Sequence, residues 1–124
     1  MIIEIDKDAT VFDRKADAAL IVVDPSGREP SGLLRGLPDI AQVIEMKAIC
    51  KDLMGSEVLH FEIDSAHIYV IRDSDVVQSF MHVLKLARQH DVSSINIPDV
   101  GDLAHAVFGM EDDSNIVVRL CSMN

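Results

Sequence analysis

Apolar residues in this chain follow two rhythms. Short runs recur at Ile2-Ile3-Glu4-Ile5, Ala19-Leu20-Ile21-Val22-Val23, Val58 to Ile63, His67-Ile68-Tyr69-Val70-Ile71, Ser94-Ile95-Asn96-Ile97 and Asn115 to Leu120. Their lengths and branched residues predict strands, and the unbroken run at 19–23 predicts one buried on both faces. Between them the spacing turns helical. Ile40, Val43, Ile44 and Met46 to Ile49 predict a helix opened by Pro38-Asp39 and closed by Gly55. Val77, Phe80, Leu84 and Ala87 predict a second, with Ser74 as its cap and Lys85, Arg88 and His90 in its last turns. A third, short helix is expected near Asp102 to Phe108.

The predicted order is β, β, α, β, β, α, β, α, β. Strands interleaved with helices predict a three-layer α/β/α domain around a mostly parallel sheet of about six strands. The short linker Asp64-Ser65-Ala66 makes the third and fourth strands antiparallel neighbours. Residues 1–124 read as a single domain, with no internal repeat and no inter-domain linker.

Composition narrows the function classes. Apolar residues make up 48% of the chain and charged ones 26%, the balance of a globular protein rather than a disordered one. No apolar run spans a bilayer, and Met1 to Asp6 has no signal-peptide pattern, so a cytoplasmic location with no membrane attachment is expected. The net charge of −10 repels polyanions, which argues against nucleic acid as a partner. A small anion held by backbone N–H groups is still allowed, because such groups act at short range. Cys50 and Cys121 read as buried thiols.

Two loops follow apolar strands and carry small residues: Asp24-Pro25-Ser26-Gly27 and Pro98-Asp99-Val100-Gly101. Ligands of open α/β sheets bind outside the carboxyl ends of strands, and glycine lets main-chain N–H groups approach a phosphate closely. Neither loop matches a GxGxxG or GxxxxGK[ST] pattern, and either is equally readable as an ordinary turn. His60 and His67 flank the hairpin turn and can approach each other. Two ligands fall short of the three or four that zinc needs, so they read as surface or edge histidines and no metal site is expected. No nucleophile elbow or catalytic set is present, so no catalytic residue is assigned and no cofactor is implied.

Several stretches resemble the macro domain, an ADP-ribose-binding α/β module. Lys7-Asp8-Ala9-Thr10 is similar to the family's Gly-Asp-Ile-Thr, and Ala16 to Ser26 to its Val-Asp-Ala-Ile-Val-Asn-Ala-Ala-Asn. Arg35-Gly36-Leu37-Pro38-Asp39-Ile40 looks like the Ala-Gly-Pro-Glu-Leu helix start, and Met54 to Val58 like Thr-Gly-Glu-Ala. Leu86 to Pro98 resembles the helix and strand ending Ser-Ile-Ala-Phe-Pro. The resemblance implies a compact, diverged member. Its function would be binding of ADP-ribose or a related adenine nucleotide, with Asp8 on the adenine amino group. Asp24, Ser26, Gly27, Gly32, Asp99, Val100, Gly101 and Phe108 would surround the ribose and diphosphate.

The chain departs from the family where hydrolysis is carried out. Asp24-Pro25-Ser26 stands in place of the Ala-Asn pair, Ser31-Gly32-Leu33 in place of the glycine-rich loop, and Gly101 with Phe108-Gly109 is what remains of the phosphate loop. Weak ADP-ribosyl hydrolysis, with Asp24 or His105 assisting water, is the furthest activity the resemblance implies. The alternative is a diverged, non-catalytic domain acting by protein contact, its acidic surface suited to a basic partner.

Overall fold

The computed structural model describes residues 1–24, 39–44, 58–73, 75–110 and 114–122. Six strands form one sheet: β1 (Ile2–Lys7), β2 (Ala18–Val23), β3 (Val58–Ile63), β4 (Ala66–Arg72), β5 (Ser94–Pro98) and β6 (Val117–Ser122). Their order across the sheet is β1-β6-β5-β2-β4-β3. The β1–β6, β6–β5, β5–β2 and β2–β4 pairs are parallel, and β3 joins β4 antiparallel through the expected hairpin. Asp64 and Ser65 turn that hairpin with φ of 50° and 70°. Two successive left-handed residues give the turn a twist that matches the strands it joins.

Helical segments are α1 (39–44, its described part), α2 (Val76–Gln89) and α3 (Gly101–Gly109). β2 is central and buried at every residue, because a core lies on each of its faces. Leu20 and Val22 join Tyr69, Ile71, Phe80, Val83, Leu84, Leu103 and Val107 on the α2/α3 side. Ala19, Ile21 and Val23 join Ile68, Val70, Leu59 and Ile44 on the α1 side. The domain is therefore the three-layer α/β/α arrangement that the patterning predicts, with one antiparallel edge.

Differences from the sequence reading are local. α2 begins with Asp75 as its cap residue, at φ 51° and with no side-chain cap bond, one position beyond the expected Ser74, which lies outside the described residues. Its buried stripe is Phe80, Val83, Leu84 and Ala87, whereas Val77 is 44% exposed. Val77 falls in the first turn, before the helix comes down onto the sheet. β6 starts at Val117 rather than Asn115, because Val117 is the residue aligned with both Ile2 and Ser94. Cys121 is a buried free thiol, and burial pushes its pKa up; Cys50 lies outside the described residues. Among the described residues no helix is long and apolar enough to cross a membrane.

The loop after β1 folds back over the α1 side of the sheet, burying Ala9 and Val11. Beside it lies an open cavity of about 140 Å³, lined in part by Phe12, Arg14, Lys15, Ala66 and Asn96.

Candidate functional site

Five of the strands run the same way, so the residues that leave them lie along one rim of the sheet. Asp8, Asp24, Asp73 and Asp99 directly follow β1, β2, β4 and β5. Backbone bonds hold this rim together. Asp8 N–H donates to Ser122 O at 2.7 Å, Asp99 N–H to Cys121 O at 3.0 Å, and Asp73 N–H to Val23 O at 2.8 Å.

The starts of the two loops singled out in the sequence, Asp24 and Asp99, leave neighbouring strands on this rim. β2 and β5 are neighbours, but their pairing is confined to Ala18↔Ile95 and Ala19↔Asn96. Past those residues the ladder stops, towards the ends that carry Asp24 and Asp99. The chain passes from β2 towards β4 on one side and from β5 towards β6 on the other. That reversal is the switch point at which α/β sheets open a ligand crevice.

α3 starts at this switch point, directly after β5. Val100 is its extended cap residue, Gly101 its first helical residue, and no side chain caps it. Leu103 N–H turns back to Val100 O at 3.1 Å. The first N–H groups of a helix lack intrahelical partners and favour anions. Asp102 in the same turn adds a negative charge that competes for that favour.

Asp24, Asp99, Val100 and Gly101 are thus brought together. Asp8 sits three strand spacings from β2, about 14 Å along the rim, the reach of a ligand with two sugars joined by a diphosphate. Ser26, Gly27 and Gly32 lie outside the described residues. Phe108 lies nearly two turns into α3, about 10 Å from its start, and is 58% exposed. His105, also exposed, lies one turn in from Gly101.

A second constellation forms at the opposite edge, which the sequence reading caught only in part. His60 Nε2 and His67 Nδ1 are 2.9 Å apart, and His67 Nδ1 is 3.5 Å from Glu62 Oε1. α2 follows β4 and runs back across the sheet, so its C-terminal residue His90 arrives beside them. The His60 and His90 rings stack at 4.2 Å between centroids, and Tyr69 Oη is 2.8 Å from His90 Nδ1. Burial, with the Glu62 charge adding to it, pushes the Tyr69 phenol up to about 12. The signal for His90 was its place at the end of the helix that returns to the strand starts. Spacing alone does not reveal it.

No family model matches the chain, and no curated protein sequence does. Solved structures do match. The macrodomain of Mycobacterium tuberculosis DarG is 10% identical, with a TM-score of 0.79 over 99% of this chain and 98% of that one. The macrodomain of Thermus aquaticus DarG is 11% identical, with a TM-score of 0.73 over 97% of both chains. The macro domain of ganglioside induced differentiation associated protein 2 is 15% identical, with a TM-score of 0.64 over 96% of this chain and 77% of that one.

The sheet order defines an open, mostly parallel α/β domain. Its fold is that of the macrodomains.

Proposed function

We propose that the crevice between β2 and β5 binds ADP-ribose or a related adenine nucleotide. The observation that carries this reading is the reversal of strand order between β2 and β5 beside the N-terminus of α3, in a fold shared with macrodomains. The Asp8 carboxylate accepts a hydrogen bond from the adenine amino group. Asp24 and Asp99 accept from ribose hydroxyls. The diphosphate rests on the backbone N–H groups of Val100 and Gly101 at the start of α3. Phe108 contributes apolar surface further along α3. A rim of carboxylates suits the donors of a nucleoside, while backbone N–H groups take the phosphates.

This is a binding site first. Hydrolysis would fall to Asp24 or His105 directing water.

A thermal-shift titration with ADP-ribose, ADP and NAD tests the reading. Ligand at 100 times its Kd adds about 2.7 kcal/mol, which raises the Tm by several degrees in a domain of this size. Gly101→Val removes that shift, because a branched side chain crowds the phosphate seat. No shift with any of the three refutes nucleotide binding. A shift that persists in Gly101→Val moves the site elsewhere. The second reading, contact with a basic protein, is favoured by the four aspartates on the rim and the net charge of −10. It predicts salt-sensitive binding of a basic partner with no response to nucleotides.

A further inference from the structure

We propose that His60, His67 and His90 form a zinc site that staples the β3–β4 hairpin to the C-terminus of α2, at the edge of the sheet opposite the crevice. Each histidine offers one ring nitrogen, and the three nitrogens lie within 4.8 Å of one another. Three imidazoles suit zinc, with a fourth position left to water or to the neighbouring Glu62.

The three residues come from separate elements that register and helix geometry place together. His60 is aligned across the hairpin with Tyr69, and Glu62 with His67. All point to the face covered by α2, as does Tyr69, which belongs to the core on that side. His90 is fixed by a tight helix ending: its N–H bonds Leu86 O at 2.9 Å, Asp91 N–H bonds Arg88 O at 3.3 Å, and Val92 N–H bonds Ala87 O at 2.8 Å. Asp91 takes the left-handed position at φ 57°. This is the 6→1 and 5→2 pattern of a Schellman motif, which ends the helix at a defined residue.

The outer contacts also match a metal centre. A ligating imidazole ordinarily engages a hydrogen-bond partner through its other nitrogen. Tyr69 Oη does this at His90 Nδ1, leaving Nε2 for the ion. In the ion's absence, His60 and His67 must share one proton across 2.9 Å. An ion replaces that proton and lets both lone pairs point inward.

The required movement is small. With bonds of 2.0–2.1 Å, nitrogens around a tetrahedral zinc stand about 3.4 Å apart. The nitrogens, all within 4.8 Å of one another, need close by no more than about 1.4 Å through rotation about the soft imidazole χ2. The rings, now stacked within 25° of parallel, must splay to bring the ion into each plane.

The test uses the full chain without a polyhistidine tag, titrated with zinc alone. One zinc per chain and a raised Tm are expected. His60→Ala, His67→Ala and His90→Ala each abolish binding, and Tyr69→Phe weakens it by about ten-fold. His105→Ala, on exposed α3, leaves it unchanged. Imidazole nitrogen NMR of the unaltered chain reads the same site without relying on the folding of any variant: zinc shifts His60, His67 and His90 and spares His105. Absence of stoichiometric zinc overturns the proposal. So does binding that survives in both His60→Ala and His90→Ala, or zinc-induced shifts confined to other histidines.

Discussion

The Asn96 side-chain oxygen accepts a hydrogen bond of 2.9 Å from Arg119 Nη1, while the amide nitrogen of the same side chain donates to Val11 O at 3.1 Å and Arg14 O at 2.7 Å. Asn96 is 1% exposed, in the middle of β5. A buried amide there is tolerated because both of its ends are satisfied. Through it, β5, β6 and the loop after β1 are tied at one point.

Asn96→Ala leaves the Arg119 guanidinium and two loop carbonyls without that partner. A loss of about 2–3 kcal/mol is expected, read as a lower urea midpoint at constant m. Asn96→Asp does not restore it, since a carboxylate cannot donate to the Val11 and Arg14 carbonyls. A variant as stable as the parent would show that the loop is held by other contacts.

Asp17 links the starts of β2 and β5. Its Oδ2 accepts from Ser93 Oγ at 2.6 Å and from Ser93 N–H at 2.9 Å. These bonds, the hydroxyl's first, hold its carboxyl below the usual carboxylate range. A carboxyl with a depressed folded pKa contributes stability above its unfolded value and loses it as pH falls through the folded value. Asp17→Asn is therefore expected to be less stable than the parent at pH 7. The difference shrinks once the pH drops below about 4, as denaturation at a series of pH values would record.

Asp91 closes α2 in the left-handed region, where glycine is strain-free, and places a negative charge at the helix end that disfavours one. Asp91→Gly is expected to raise stability by about 0.5–1 kcal/mol. Asp91→Ala keeps a Cβ in the same conformation and gains nothing of the kind. Thermal melts of the two variants measure the difference directly.

Much of this architecture is legible in the residue pattern. The unbroken run at 19–23 marks the central strand because a strand covered on both faces has no polar side to show. Asp64-Ser65-Ala66 marks the hairpin because so short a linker leaves no other path. Helix boundaries were less legible. The start of α2 slipped past Ser74, and Val77 proved exposed, because the apolar period locates a face without saying where along the helix contact begins. The candidate crevice was legible as two loops but not as one place. His60 and His67 were legible as a pair, and His90 was not.

The sequence by itself determined which segments form strands and helices and which of them are buried, since burial of apolar runs and the needs of turns are local. It also set the net charge of −10, because charge is counted along the chain. Only the tertiary structure decided that β5 lies against β2, and that α2 carries His90 back to the hairpin. Those are relations between residues far apart in sequence, set by the packing of two helices on one sheet.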